Sequence, residues 1–194
     1  IEIEVLKRSI GKQDHYATAF GGLRSYKFLD NEKTDVSEIE ISNDNKKKLF
    51  NSIISFWTGI TRSSESTLKE QNLRQDENLE NLLKMRHLAI EMIDLLENNF
   101  LNIEQLGKLI HSSWILKKTL ASNISNDLVD KAYKTCLNQG AIGGKISGAG
   151  NGGFLNIITP NSKRKIVVDA LSKLNLKQFK FNIDENGTKA YVID

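Results

Sequence analysis

The sequence has a single cysteine, Cys136, among its 194 residues, so no disulfide can form within the chain. A chain without internal disulfides is typical of a reducing compartment, and we expect a cytoplasmic protein. No apolar run approaches the ~18 residues that a membrane-spanning helix needs, and the first residues lack the charged-then-apolar plan of a signal peptide. The sequence therefore predicts a soluble protein with no membrane partner.

A large excess of one charge is also missing. The 27 basic and 24 acidic side chains leave a formal net charge of +3, and the two signs are interspersed along the chain. The densest basic runs, at residues 46–48 and 163–165, stand beside apolar residues and are interpreted as solvated helix faces. Because nucleic-acid binding needs a concentrated basic surface, no nucleic-acid partner is predicted.

The composition, 39% hydrophobic and 26% charged, is typical of a globular protein. Alternating apolar residues predict strands, and apolar residues recurring every third or fourth position predict helices. The predicted strands are residues 23–29, 36–41, 53–57, 154–159, 177–183 and 189–193, with a polar linker at 42–48. The predicted helices are residues 1–9, 14–20, 79–96, 103–120, 126–138 and 162–174. This order indicates an α+β architecture rather than a repeated βαβ sheet.

Residues 145–153 form a glycine-rich loop, with four glycines in six positions. Glycine tolerates positive φ and lets backbone amides approach an anion, so the loop is a candidate phosphate cradle. A dinucleotide-binding loop must open a helix, whereas this one leads into an apolar strand. A Walker A loop needs Lys and then Ser or Thr after its last glycine, where Phe154 and Leu155 stand instead. Two interpretations remain: phosphate binding, or a tight hairpin that uses glycine for geometry alone.

Two segments resemble signature segments of the GHMP kinases, a superfamily that includes galactokinase, homoserine kinase and mevalonate kinase. Residues 144–153 resemble the third signature motif of that superfamily. Residues 11–22 are similar to the segment that carries the catalytic aspartate in galactokinase-like and heptose-kinase-like members. Within the superfamily the chain looks nearest to the heptose 7-phosphate kinases, which residues 58–63 and 111–120 also resemble.

The resemblance implies the two-domain GHMP kinase fold. It places residues 44–194 in a C-terminal domain of ferredoxin-like form, with helices against an antiparallel sheet, and residues 1–43 in a remnant of the N-terminal domain. Members bind ATP through a loop in their N-terminal domain, so we expect the N-terminal half of the same protein to be missing here. The chain alone is therefore expected to have little or no kinase activity.

By this resemblance Asp14 is the candidate catalytic residue. Phosphoryl transfer to a hydroxyl needs a group that orients the hydroxyl and accepts its proton, which one carboxylate can do. The charge of Lys12, two residues away, would favour the ionised form of Asp14. Taken without the resemblance, Asp14 is better interpreted as a helix N-cap that accepts from the amides of Tyr16 or Ala17.

The remaining site residues are also assigned by resemblance. The planar guanidinium group of Arg62 can bind an anionic sugar phosphate through paired N–H donors. The alternative interpretation is that Arg62 is a surface residue without this role. The residues predicted to bind substrate are Lys12, Gln13, Arg62, Gly148 and Gly150. The residues predicted to bind phosphate or nucleotide are Ser147, Ala149 and Gly152. No metal ligands are predicted, because the three histidines are scattered along the chain.

The function implied by the resemblance is transfer of the γ-phosphoryl group of ATP, with Mg²⁺ on the phosphates, to a sugar hydroxyl. The implied acceptor is the anomeric hydroxyl of D-glycero-D-manno-heptose 7-phosphate. Two alternatives stay open: a GHMP kinase for another sugar such as fucose, or a non-catalytic sugar-binding module. The implied partners are ATP, a sugar phosphate and the missing N-terminal half, and the resemblance is compatible with a homodimer.

Overall fold

The computed structural model describes residues 11–61 and 65–191. The predicted helix at residues 1–9 and the predicted phosphate ligand Arg62 lie outside these ranges.

The described chain divides into two compact units. The larger comprises residues 41–180, and the smaller joins residues 11–40 to residues 181–191. The predicted family domains, 1–43 and 44–194, stay a prediction.

The smaller unit is a helix followed by a two-stranded antiparallel hairpin, and the hairpin register runs from Arg24↔Glu38 to Phe28↔Thr34. The predicted helix and hairpin are confirmed, with bounds that differ by a few residues. Tyr16 holds the helix against the hairpin, because its ring lies 6.0 Å from that of Tyr26. The elements of this unit are α1 Gln13–Phe20, β1 Arg24–Phe28 and β2 Thr34–Glu38.

The last described segment completes the smaller unit without forming a strand. Gly22 donates its N–H to the Asp184 carbonyl at 2.7 Å, and Thr188 donates its N–H to the Thr18 carbonyl at 3.0 Å. The strands predicted at 177–183 and 189–193 are thus wrong across most of their described residues. In a hairpin, the backbone groups of this segment would pair with each other. Here they bond instead to α1 and to Gly22, which follows it.

A glycine explains this docking. Gly187 has φ +65°, and a Cβ on it would lie 2.4 Å from the Ala19 carbonyl oxygen. Only a residue without a side chain fits there, so the predicted turn at Asn186 and Gly187 packs its backbone directly on the end of α1.

The larger unit is one antiparallel sheet with helices. The strand order in the sheet is β4-β5-β3-β6, and every pairing is antiparallel. This β-α-β-β-α-β succession with interleaved strands is the ferredoxin-like arrangement, which confirms the predicted α+β fold. The elements are α2 Asn43–Ser52, β3 Ile53–Trp57, α3 Glu65–Leu73, α4 Leu79–Glu97, α5 Ile103–Thr119, α6 Asp127–Asn138, β4 Gly143–Ile146, β5 Phe154–Ile158, a 3-10 turn Asn161–Lys163, α7 Arg164–Ser172 and β6 Lys177–Phe179.

The helix α2 replaces the predicted polar linker at 42–48, and that prediction is wrong. Ser42 caps the helix by accepting the Asn45 N–H at 3.2 Å. The Asn45 side chain is buried and donates to the Asn98 carbonyl at 2.9 Å. A polar residue therefore occupies a buried position of this helix, so the apolar spacing that would have revealed it is absent. The helix α3, also not predicted, buries only a threonine, Thr67, among its side chains.

The core lies on one face of the sheet. Ile54 and Phe56 of β3 and Leu155 and Ile157 of β5 are fully buried there, packed with residues of α6 and α7. Because side chains alternate along a strand, the residues between them lie on the opposite face. None of the helices within the described ranges combines the length and apolar composition that a bilayer crossing requires.

Cys136 provides a test of this core. Burial raises the pKa of its thiol from 9.0 to about 12, and only the thiolate is reactive. We expect no reaction with Ellman's reagent at pH 8 in the native protein and one equivalent of reaction after unfolding in guanidinium. Since the unfolded thiol ionises first, the contribution of this group to stability should decline as the pH rises above 9. Rapid native labelling would contradict the packing around α6.

Candidate functional site

The glycine-rich loop is the connection between β4 and β5. Ser147 donates its N–H to the Phe154 carbonyl at 2.9 Å, which continues the pairing of the two strands into the loop. Five of the next six residues have positive φ: Gly148 (68°), Gly150 (109°), Asn151 (62°), Gly152 (154°) and Gly153 (82°). The strand predicted after the loop is confirmed, whereas β4 before it was not among the predicted strands.

The start of α6 anchors one side of the loop. Asn151 donates its N–H to the Ile124 carbonyl at 2.6 Å. Asn126, the N-cap of α6, donates its side-chain amide to the Asn151 carbonyl at 3.1 Å and to the Asn151 side-chain oxygen at 3.0 Å. The Asn126 oxygen simultaneously accepts the Val129 N–H at 3.0 Å. One amide therefore caps the helix and fixes the loop.

The segment after β3 anchors the other side. Gly153 donates its N–H to the Ile60 carbonyl at 2.9 Å, and its own carbonyl accepts both the N–H of Thr58 at 3.0 Å and the Thr58 hydroxyl at 2.9 Å. Residues 58–63 resemble a segment of the heptose 7-phosphate kinases, and the described part of that segment, residues 58–61, is in direct contact with the glycine-rich loop. Arg62, in the same segment, lies outside the described ranges.

The tip of the loop keeps its donors free. Among the described residues, the amide N–H groups of Gly148, Ala149 and Gly150 donate to no backbone carbonyl, while those of Ser147 and Asn151 on either side do. Lys117 of α5 donates its ammonium to the Gly148 carbonyl, which brings positive charge to the tip. Successive unpaired amides beside a cation are a suitable environment for an anion.

A polar row lies on the sheet face opposite the core, next to the loop. Lys145 pairs with Asn156, and Asn156 pairs with Ser55, across three neighbouring strands. Lys145 is half-buried, and this burial lowers the pKa of its amine because the charged form loses hydration.

The predicted residues Lys12, Gln13 and Asp14 lie together at the exposed start of α1. Lys12 occupies the N-cap position and no side chain caps the helix, so the N-cap interpretation of Asp14 is wrong. Asp14 stands in the first turn of α1. These three residues belong to the smaller unit, and Ser147, Gly148, Ala149, Gly150 and Gly152 belong to the larger one.

Three contacts of the loop were missed by the sequence analysis: Thr58, Lys117 and Asn126. Asn126 was predicted only as a helix start, and its partner Asn151 is 25 positions away. Lys117 is 31 positions from Gly148. Local spacing carries no signal for such pairs.

A cavity of about 830 Å³ lies at the other end of the sheet, between α2, the start of α5 and the residues after β5. None of the predicted site residues lines it. Its walls include Lys47, Ile103, Ile142 and Pro160.

Part of the larger unit is similar to a known family. Residues 92–176, which span α5, α6, the glycine hairpin and α7, match the family described as GHMP kinases C terminal. This part of the chain, which includes the glycine-rich loop, is therefore similar to the C-terminal domain of the GHMP kinases.

The more particular similarity is to heptose phosphate kinases. The D-glycero-alpha-D-manno-heptose 7-phosphate kinase of Campylobacter jejuni is 30% identical over all of this chain, which spans 57% of that protein. A solved putative sugar kinase from Campylobacter jejuni is 26% identical with a TM-score of 0.67, over 93% of this chain and 49% of its own. The solved D-glycero-D-manno-heptose 1-phosphate kinase from Bacteroides thetaiotaomicron has the same fold, with 24% identity and a TM-score of 0.66 over 98% of this chain and 53% of its own.

Two glycine substitutions test the anchoring of the loop. A Cβ on Gly150 would lie 2.5 Å from the Ile124 carbonyl oxygen, whereas a Cβ on Gly148 would meet no atom within 4 Å. Both positions have positive φ, so each alanine costs about 1 kcal/mol of backbone strain. We expect Gly148→Ala to lower the free energy of unfolding by about that amount and Gly150→Ala by about 3 kcal/mol or more, since it adds a clash with backbone.

Urea denaturation followed by circular dichroism measures both changes. Gly148→Ala is the matched control for positive φ without a clash. Equal losses in the two variants would contradict the close contact between the loop and residue 124.

Proposed function

We infer that this chain contributes the C-terminal domain and the Asp14 segment of an ATP-dependent sugar kinase. The observation that carries this inference is the glycine hairpin: its flanks are hydrogen-bonded to two neighbouring segments, while its tip amides have no backbone partner within residues 11–61 and 65–191. A hairpin used for geometry alone does not need unpaired amides beside a lysine. A phosphate-binding loop does, because phosphoryl oxygens bind best to donors already held in position.

The proposed chemistry needs little from the protein beyond positioning and charge. The loop around Gly148 and Gly150 holds phosphate, and Asp14 orients the acceptor hydroxyl and takes its proton. The exposed carboxylate at the start of α1 is accessible to a substrate. Mg²⁺, when bound with ATP, neutralises charge on the transferring phosphoryl group. A nucleotide-binding N-terminal half completes the site, and the cytoplasm supplies its ATP.

The proposed acceptor is a heptose 7-phosphate, phosphorylated at its anomeric hydroxyl. The curated relative named as a heptose 7-phosphate kinase supports this choice, since its similarity extends over the whole chain. The phosphate that the acceptor carries, in addition to those of ATP, also suits a site in which Lys117 lies beside the tip amides. Other sugar acceptors, including fucose, are the competing outcomes of the assay below.

A direct assay tests the function. The natural polypeptide that contains this chain should release ADP from ATP and Mg²⁺ only with its own acceptor, in a panel of heptose phosphates, hexose phosphates, fucose and neutral hexoses. Asp14→Asn should lower kcat by 10²-fold or more, the range of general-base catalysis. Asp35→Asn, which alters an exposed carboxylate of β2 in the same unit, is the matched control and should keep normal activity. Sugar binding without ADP release would favour a non-catalytic binding module instead.

A second substitution tests the phosphate on the acceptor. If Arg62 grips that phosphate through paired donors, Arg62→Ala should raise KM for phosphorylated sugars at least tenfold and change KM for neutral sugars little. Arg62→Lys should restore only part of the affinity, because lysine cannot bind in bidentate fashion. Equal losses for charged and neutral sugars would reject this assignment.

A further inference from the structure

Two polar side chains occupy an unusual place in the central strands. Ser55 is the middle residue of β3 and Asn156 the middle residue of β5, and the two are register partners. Their neighbours on both strands are apolar, and asparagine is unfavourable in strands. Packing alone does not account for a polar pair at this position, and the hydrogen bonds of the two side chains supply the explanation.

The pair leads to the glycine-rich loop. The Ser55 hydroxyl donates to the Asn156 side-chain oxygen at 2.8 Å, and the Asn156 side-chain amide donates to the Ser147 hydroxyl oxygen at 2.6 Å. The row thus begins at a buried serine in the centre of the sheet and ends at an exposed serine that opens the loop.

Burial fixes the direction of these bonds. Ser55 is only 4% exposed, and among the described residues Asn156 is the partner of its hydroxyl. A buried hydroxyl proton without an acceptor is costly, so Ser55 must donate and the Asn156 oxygen must face it. The amide group of Asn156 then faces Ser147. Because Ser147 accepts that bond, its own proton is directed away from the sheet.

We propose that Ser55 and Asn156 are positioning residues that aim the Ser147 hydroxyl proton at a phosphoryl oxygen held by the glycine-rich loop. This inference rests on the proposed function, which places phosphate at the loop. The position of Ser147 supports it, since this residue directly precedes the free amides of Gly148 and Ala149. Lys145, opposite Asn156 in the register, adds positive charge to the same sheet face.

We call the hydrogen-bonded series from Ser55 through Asn156 to Ser147 the relay. Variants of its members in the natural polypeptide should have coupled effects on kcat. Ser147→Ala and Asn156→Ala should each lower kcat about tenfold, the loss expected for one hydrogen bond to a charged group, with KM for the sugar unchanged. The double variant should be no worse than Ser147→Ala, because Asn156 acts only through the Ser147 hydroxyl. Ser55→Ala should give a smaller loss, and Ser147→Thr, which keeps a hydroxyl, should restore most of the activity.

A variant at the other end of β5 provides the control. Thr159→Val removes a buried hydroxyl whose one partner in the described parts of the chain is the next carbonyl, at 3.4 Å, and should leave kcat unchanged. The exposed Ser147 variants keep the test valid if a change at Asn156 or Ser55 impairs folding. Unchanged kcat in Ser147→Ala, or losses that multiply in the double variant, would overturn the relay.

A binding experiment separates this inference from the proposed function. If the wild-type protein forms no ADP with any sugar, the kinase proposal fails, and the relay is judged by titration calorimetry with inorganic pyrophosphate. The relay predicts that Ser147→Ala and Asn156→Ala each weaken pyrophosphate binding about tenfold and that Thr159→Val does not. Equal affinity in all variants, or no binding by the wild-type protein, would overturn it.

Discussion

The glycine hairpin keeps its conformation through contacts between backbones. Gly150 lies against the residue 124 carbonyl and Gly152 against that of Ile60, so closely that any side chain would collide. The same two carbonyls accept N–H groups of the hairpin, from Asn151 and Gly153. Close approach and hydrogen bonding therefore depend on each other, and both need glycine. Three segments that are distant in sequence meet at this point because Gly150 and Gly152 carry no side chains.

Within this short loop, the flanking residues are held by hydrogen bonds to neighbouring segments and the tip residues are not. Asn151 and Gly153 use their amides to hold the hairpin between the start of α6 and the end of β3, whereas the tip amides have no backbone partner among the described residues. Donors held in position before a ligand arrives lose little entropy when it binds. The helix cap at Asn126 and the sheet row ending at Ser147 extend the same principle to side chains, because each is fixed by elements of the fold.

The sequence predicted the parts of the fold that have strong local patterns. The strand at 53–57 has the predicted bounds because it is a short apolar run before a glycine. The α2 helix was missed because a polar residue, Asn45, takes a buried position through hydrogen bonds to a distant segment. The predicted strands after residue 180 were wrong because the backbone of residues 184–188 bonds to α1 and Gly22 and does not form a hairpin. In the candidate site, the glycine motif was recognisable, but Asn126 and Lys117 reach it only through tertiary structure.

The smaller unit has a consequence for synthesis on the ribosome. The hydrogen bonds between Thr18 and Thr188 join residues 170 positions apart, and they close the unit that carries Asp14. At roughly 5–20 residues per second, translation needs on the order of 10–30 s to supply the second partner after the first. The helix α1 must wait for that time without its final backbone contacts, while β3 to β5 can already assemble. The segment that carries the proposed catalytic carboxylate is therefore among the last to reach its native environment.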